Sequence, residues 1–473
     1  MSAAPPPAPP SASEIRDVAM RVSYWDIVGA QLKKNRVAML ALWLVLGLVA
    51  MAIAAPLIAF NVPIVRASDG AIRLPLLSLL FDRSVFENGV DVFFNLLLLV
   101  MPAWLLAPPA GAAFARRGGV AARRSTKASF AIVGLLAVLV VEAWAAFSGR
   151  LAIRVAFLGV VVPGAALLAW AGSGRGRLGR ARASVRRWVA LSILFAGVVV
   201  LFSLPTETSP YRIWRGPATT ESGFLVFPLV PFHPTSVGDT EALSRARKHP
   251  DAKNWLGCDL NGRDVVSRIV FGTRISLTIG VVAVAILVFI GIVLGSLAGF
   301  YGGWVDLAVS RFIEVMICFP VIFLLLTIIA VFESRSIFLI MGAIGLVGWP
   351  GVARLVRGEF LRQRSLDYVT AARAQGIPQR RIIFRHVLPN CLGPVLVSAT
   401  LGIAGAILYE SSIAFLGLGD QTAVSWGQML TTGRESQEWH LILVPGFSIF
   451  FVVTVFNLLG EGIRDALDPK LRK

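Results

Sequence analysis

A polar, arginine-rich segment covers residues 348–390 and lies between two long apolar runs that could each cross a bilayer. It is predicted to form two short helices joined by a fixed elbow. Ser365 is the expected N-cap of the first helix, Gly376 can take the left-handed backbone that ends it, and Pro378 has the fixed φ angle that suits the start of the second. The expected chemistry is docking of a protein partner.

No catalytic constellation accompanies this segment. The sequence has no Gly-x-x-x-x-Gly-Lys-Ser/Thr loop, so nucleotide hydrolysis is not expected of this chain. The histidines and cysteines are scattered without metal-ligand spacing: His233, His249, His386, His440, Cys258, Cys318 and Cys391. We therefore predict no enzyme activity, no metal site and no disulfide framework, and we interpret His386 as structural.

Two carboxylates lie within apolar runs, where a charge costs several kcal/mol unless it is paired or faces water. Glu314 follows Arg311 by one helical turn and is expected to pair with it. Glu410, with Ser411 and Ser412 next to it, either lines a translocation path or pairs with a helix of a partner. The sequence favours neither interpretation of Glu410.

The composition is that of a membrane protein. Hydrophobic residues make up 56% of the 473 positions, and the mean hydropathy is +0.74, values that a soluble chain of this size does not reach. The net charge of +18 comes from basic residues in short loops beside the apolar runs. Such residues orient a protein in the membrane, and no nucleic-acid recognition motif accompanies them.

Ten apolar runs are long enough to be candidate spans, each of about 20 residues. They cover residues 37–60, 92–114, 128–147, 155–171, 188–204, 275–300, 312–332, 337–352, 392–418 and 441–459. If the N-terminus is in the cytoplasm, the loops rich in arginine and lysine all fall on the cytoplasmic side, together with the arginine-rich segment and the C-terminus. The stretches 61–91, 205–274 and 419–440 fall outside.

A glycine-punctuated polar stretch, which we call the signature segment, covers residues 254–268 just before the sixth run. Its glycines are placed for turns. It resembles the Leu-Gly-Thr-Asp-x-x-Gly-Arg-Asp signature of the C-type permease subunit of dipeptide and oligopeptide importers, with Cys258 in place of threonine. The residues that carry this resemblance are Gly257, Asp259, Gly262, Arg263 and Asp264.

The arginine-rich segment is similar to the Glu-Ala-Ala loop with which permeases of ABC importers dock into their ATPase subunits. Thr370 stands where that motif usually has glutamate. The matching and neighbouring positions are Asp367, Tyr368, Thr370, Ala371, Ala372, Arg373, Gly376, Pro378, His386 and Pro389. Further matches follow in the same order along the chain, so the resemblance covers residues 31–60 and 254–473.

The resemblance implies an all-α polytopic transmembrane bundle, with the core of a type I ABC importer permease and four extra spans in its N-terminal half. It also implies a bacterial inner membrane location and partners: a second homologous permease, two ATPase subunits that use ATP and Mg²⁺, and a peptide-binding protein outside. This chain would bind no cofactor itself. The two alanines Ala371 and Ala372 would lie in the ATPase cleft.

The expected organisation follows from these observations. Residues 1–36 form a tail and an interfacial helix, 37–60 the first span, 61–204 an insertion with four spans, 205–274 an external segment and 275–473 the permease core, with the coupling loop at 354–391. A secondary transporter would need ion-coupling residues and repeated halves. A non-transporting assembly subunit is the other alternative. The sequence does not identify which peptide or other small cargo is carried.

Overall fold

The computed structural model describes residues 24–68, 71–80, 85–86, 88–98, 224–235, 249–252, 254–332 and 335–468. The predicted spans at 128–147, 155–171 and 188–204 lie outside these residues, as does most of the span at 92–114. The described residues are largely helical, which agrees with the expected all-α bundle.

The first described part of the chain contains two helices and a small sheet. Helices α1 and α2 precede strands β1 and β2, two short helices α3 and α4, and strand β3. Their bounds are α1 Tyr24–Lys34, α2 Arg36–Ile58, β1 Val65–Ser68, β2 Ala71–Arg73, α3 Pro75–Leu79, α4 Gly89–Leu98 and β3 Phe224–Val226. The short helix predicted after Ser23 is therefore present as α1, and its interfacial location stays a prediction.

The second part is a succession of helices with two π-helical segments, π1 and π2. The elements are α5 Val265–Tyr301, α6 Gly303–Cys318, α7 Val321–Val331, α8 Ile337–Gln363, α9 Asp367–Ala374, α10 Gln379–Arg381, π1 Ile382–Val387, α11 Leu388–Ile413, π2 Ala414–Leu418, α12 Trp426–Ser436 and α13 Trp439–Leu467. Pro389 has no N–H for the carbonyl of Arg385, a break in the α-helical pattern that accompanies π1.

The chain divides into two compact units. Unit 1 takes its residues from Met1–Leu48, Ile279–Gly419 and Gly446–Lys473, and unit 2 from Val49–Thr278 and Asp420–Pro445. These units cut across the boundaries expected from the sequence. The predicted external segment does not stand alone, because its described residues belong to the same unit as the end of α2 and the region of α12.

Unit 2 contains a three-stranded antiparallel sheet that the sequence analysis did not predict. Strand β1 is central, with β2 on one side and β3 on the other. The register pairs Arg66 with Arg73 and with Leu225. Three to four residues per strand give too little alternation for a sequence pattern to reveal them.

Among the described residues, five helices are long and apolar enough to cross a membrane. They are α2, α5, α8, the continuous stretch Gln379–Leu418, and α13. They correspond to predicted spans at 37–60, 275–300, 337–352, 392–418 and 441–459, with helical extensions beyond the apolar runs of α5 and α8. These five predictions are confirmed.

The predicted span at 312–332 is not one continuous helix but a bent pair of helices. Helices α6 and α7 meet at a bend of 86°. Phe319 is extended (φ −90°, ψ 129°) and Pro320 follows it as the residue that precedes α7. A residue before proline avoids the α region, and proline cannot continue a helix, so the apolar run breaks there.

In unit 1, α5 and α8 pack with their backbones in close contact. A stripe of glycines on α5 removes the side chains that would separate them. A Cβ placed on Gly295 would lie 2.5 Å from the carbonyl oxygen of Ala353, and one on Gly299 would lie 2.5 Å from the Cβ of Phe360. Gly291 meets Val352 in the same way. Small residues four positions apart allow this approach between membrane helices.

Helix α6 is joined to α8 by an ion pair in unit 1. The Arg357 guanidinium donates to both carboxylate oxygens of Asp306, through Nε to Oδ1 and through Nη2 to Oδ2 at 2.8 Å. This two-point geometry is the strongest form of such a pair. The expected pair between Arg311 and Glu314 is also present at 2.5 Å, but both side chains are largely exposed.

Candidate functional site

The arginine-rich segment forms a helical elbow at the end of α8. Helix α9 ends at Gly376, whose φ angle is +71°. The N–H of Gly376 donates to the carbonyl of Arg373 at 2.9 Å, and the N–H of Ile377 donates to that of Ala372 at 3.1 Å. These two bonds form a Schellman motif. Pro378 then precedes α10, so the predicted roles of Gly376 and Pro378 are confirmed.

The predicted N-cap is wrong. Leu366, and not Ser365, precedes the first residue of α9, and no side chain caps this end. The Ser365 hydroxyl instead donates to the carbonyl of Arg362 at 2.9 Å. Because α8 continues to Gln363, the serine follows the last turn of that helix by two residues and satisfies one of its free carbonyls.

One face of the elbow packs against the rest of unit 1. Val369 and Ala372 of α9 are buried, as are Ile382 and Ile383 of π1. Tyr368 donates its hydroxyl to Gln363 Oε1 at 2.7 Å. Burial of these apolar groups fixes the angle between α9 and π1.

The burial of Ala372 corrects one expectation. Its side chain is 5% exposed and faces its own chain, so it cannot lie in a partner's cleft. Ala371, its neighbour, is exposed. The remaining predicted positions divide as follows: exposed are Asp367, Thr370, Arg373, Gly376, Pro378 and Pro389, and half-buried are Tyr368 and His386.

The exposed face also carries two large apolar side chains that sequence reasoning missed. Phe384 is 66% exposed and Leu366 is 43% exposed. Phe384 follows Ile382 and Ile383 in π1, and both of these neighbours are buried. Exposed aromatic groups amid a polar rim are typical of protein interfaces.

Two arginines connect the elbow to the end of α5. Arg364 Nη1 donates to the carbonyl of Gly299 at 3.2 Å. The guanidinium of Arg373 lies 5.3 Å from the centre of the Phe300 ring. The last carbonyls of α5 therefore receive positive charge, which also suits the negative end of the helix dipole.

In unit 2 the signature segment folds into a turn that begins α5. Gly257 and Gly262 have φ angles of +78° and +71°. The Asp259 carboxylate accepts the backbone N–H of Asn261 and of Arg263, each at 2.9 Å, and the side-chain Nε of Arg263 at 2.6 Å. The aspartate thus organises the turn from within.

Asp264 caps α5. Its Oδ2 accepts the N–H of Ser267 at 2.8 Å, and its Oδ1 accepts Asn254 Nδ2 at 2.9 Å. This is the N-cap arrangement, in which the carboxylate satisfies a free N–H of the first turn. Burial raises the pKa of Asp264 above its ordinary value, against the hydrogen bonds from Asn254 and Ser267, which lower it. Asp259 and Asp264 are both only 2% exposed, which supports a structural role.

Arg274 completes a second buried network in unit 2. Its Nε donates to the carbonyl of Ala52 at 2.7 Å, its Nη2 to Asn95 Oδ1 at 2.9 Å, and its Nη1 to Asp91 Oδ1 at 3.0 Å. Ala52 is the residue four positions before Pro56, which lies inside α2. Because proline has no N–H, the Ala52 carbonyl has no helical partner, and Arg274 supplies the missing donor.

The three candidate translocation residues differ in their exposure to solvent. Glu410 and Ser411 are buried, and the Ser411 hydroxyl lies 3.4 Å from Glu410 Oε2. Ser412 is exposed on α11 and donates to the carbonyl of Leu408 at 2.8 Å. Only Ser412 is therefore open to a path along the surface of this chain, and its role remains a prediction.

Comparison with known proteins matches two family profiles to the chain. The family described as the binding-protein-dependent transport system inner membrane component matches residues 291–473. The N-terminal TM domain of oligopeptide transport permease C matches residues 23–74. Together they cover the arginine-rich segment and α2.

Curated relatives extend this similarity. The dipeptide transport system permease protein DppC of Alkalihalophilus pseudofirmus is 44% identical over 227 residues, covering 47% of this chain and 74% of the relative. The oligopeptide transport system permease protein OppC of Haemophilus influenzae is 40% identical, covering 51% and 78%. The glutathione transport system permease protein GsiD of Pectobacterium atrosepticum is 39% identical, covering 52% and 81%.

These relatives match most of their own length, and the family model that matches residues 291–473 contains the helical elbow. The chain belongs to the family of inner membrane components of binding-protein-dependent transport systems, as a permease subunit of an ATP-driven importer.

Proposed function

We propose that this chain is the C-type permease of an importer of dipeptides or oligopeptides. The observation that carries the proposal is the helical elbow, in which Ala371, Gly376 and Phe384 are exposed while Val369, Ala372, Ile382 and Ile383 are buried. Such a preformed elbow suits insertion into a cleft of a partner, because little conformational freedom is lost on docking. The curated relatives that transport peptides support the substrate class.

The proposed assembly contains this chain, a second homologous permease, two ATPase subunits and a substrate-binding protein. ATP and Mg²⁺ would be bound by the ATPase subunits and not by this chain. Closure of the ATPase pair would move α9 and π1, and the helices joined to them would open the pathway toward the opposite side. This is an alternating-access mechanism, in which ATP binds more tightly to one of the two conformations of the complex and so favours it.

We also propose that the elbow and both termini face the cytoplasm, because arginine is frequent in the elbow and four of the residues from 464 to 473 are arginine or lysine. Reporter fusions after Asp251 and after Asp468 test this orientation. The fusion after Asp251 is expected to report the external side and the one after Asp468 the cytoplasm. The same side for both would contradict the proposed topology.

Transport itself is tested in proteoliposomes that contain the complete complex. With ATP on the ATPase side and binding protein on the other, labelled dipeptides and oligopeptides are expected to accumulate, and omission of either should abolish accumulation. Free amino acids serve as the matched control cargo. Uptake driven by an ion gradient without ATP would indicate a secondary transporter, and active complexes that reject all peptides would exclude the substrate class.

A further inference from the structure

Three potential metal ligands converge in unit 2, at the start of α13. His249 Nδ1 lies 3.9 Å from Glu438 Oε2, and His440 Nδ1 lies 4.0 Å from the same oxygen. All three atoms lie within 4.8 Å of one another. Sequence spacing concealed this group, because His249 is far from the other two residues along the chain.

His440 is the residue that points to a ligand. Its side chain is 0% exposed, and its Nδ1 has no hydrogen-bond partner. Its Nε2 lies 3.3 Å from the carbonyl oxygen of Cys258. A carbonyl can only accept, so in the neutral imidazole Nε2 carries the proton and Nδ1 presents a lone pair. A buried nitrogen with a free lone pair is costly unless something binds it.

Hydrogen bonding between the three side chains does not account for the arrangement. Separations of 3.9 Å and 4.0 Å are too long for direct hydrogen bonds. They are close to the spacing of ligands around one cation, since bonds of about 2.0–2.2 Å from zinc to nitrogen or oxygen place tetrahedral ligands about 3.4 Å apart. Each histidine needs to approach Glu438 by only about half an ångström, and the three ligand atoms already lie within 4.8 Å of one another.

The backbone holds two of these ligands in place. Gln437, between α12 and Glu438, has a φ angle of +58°, which is unusual for a residue other than glycine. This left-handed residue ends α12 and reverses the chain, so that Glu438 and His440 lie on the same side of the turn. The contact from His440 to the Cys258 carbonyl orients the ring, as outer hydrogen bonds do for histidines that bind metals.

We propose that His249, Glu438 and His440 bind a divalent transition-metal ion of the zinc type. Two imidazoles and one carboxylate suit Zn²⁺ and its neighbours, whereas Mg²⁺ and Ca²⁺ prefer oxygen ligands alone. The His249 side chain is 67% exposed, so a fourth position is open to water or to a donor from another molecule. The bound ion would join the segment at His249 to the start of α13.

The test uses the purified full chain in detergent, prepared with an affinity tag other than histidine and stripped with a chelator. A Cys318→Ser background removes the exposed thiol as a competing ligand. Zn²⁺ is titrated against a chromophoric chelator. One equivalent is expected to bind per chain, and His249→Ala, which alters an exposed residue, is expected to weaken binding at least tenfold, as is Glu438→Gln.

His386→Ala is the matched control, because the chain has four histidines and this one lies in the elbow. It is expected to leave Zn²⁺ affinity unchanged. X-ray absorption at the zinc edge is expected to show two imidazole ligands in the parent chain and one in His249→Ala. The absence of saturable binding, or equal affinity of His249→Ala and the parent, would overturn the proposal. Transport activity is not needed for any of these measurements.

Discussion

Replacement of Arg274 by methionine is expected to lower the free energy of unfolding of the chain by about 3–5 kcal/mol, the usual cost of removing one partner of a buried ion pair. The Arg274 side chain is 0% exposed, and its loss leaves Asp91 without its cation. It also removes the donor to the Ala52 carbonyl. Methionine keeps much of the volume, so the loss comes from the polar groups rather than from a cavity.

The role of Pro56 makes this prediction specific. In an Arg274→Met background, Pro56→Ala provides an N–H for the Ala52 carbonyl and is expected to recover about 1 kcal/mol of the loss. In the parent chain the same change lacks that benefit, because Arg274 already satisfies the carbonyl. Additive effects of the two substitutions would show that Arg274 does not compensate for the proline.

Thermal unfolding of the purified chain in detergent, followed by intrinsic fluorescence, provides the measurement. Arg311→Met is the matched control, because Arg311 also forms an ion pair but its side chain is 70% exposed. Exposed pairs contribute little, so its midpoint should stay near that of the parent. Equal midpoints for Arg274→Met and Arg311→Met would contradict the network described here.

Substitution of Ala371 by arginine is expected to release the ATPase subunits while the permease itself stays folded. Ala371 is exposed beside the Gly376 elbow, so a long charged side chain there does not disturb its own chain. In a packed interface it would cause overpacking of about 1–3 kcal/mol. That corresponds to about 5- to 150-fold weaker association.

The measurement is co-purification of the ATPase with the tagged permease, together with ATPase stimulation by loaded binding protein. Ala371→Ser is the matched control and should behave as the parent, since it adds only one oxygen. Ala372→Arg is expected to reduce the stability of the permease as well, because Ala372 is buried within it. Normal ATPase recovery with Ala371→Arg would mean that this face is not the docking surface.

The elbow could be predicted because its determinants are local. Gly376 and Pro378 constrain their own backbone angles, whatever the rest of the chain does. Ser365 was misread because the end of α8 depends on how far that helix packs against α5, and Ala372 because the buried face of a short helix depends on its tertiary neighbours. Single-residue chemistry determines the turn, and packing determines which side of it is exposed.

The networks of unit 2 could not be predicted, since they join distant parts of the chain. Arg274 reaches Ala52 across 222 positions. His249 and His440 likewise come together only through the fold. The one available local signal was the Glu438-x-His440 spacing next to a left-handed residue, which is too common to specify a site without the third ligand.

The glycine stripe of α5 has a consequence for how force passes through unit 1. Where Gly291, Gly295 and Gly299 meet α8, no flexible side chains separate the two backbones, so neither helix can slide or tilt alone without a clash. Arg364 holds the same two helices together beside the elbow. A push on α9 would therefore displace both helices together, and a small movement at the proposed docking face would be carried along α5 and α8 into the apolar part of unit 1.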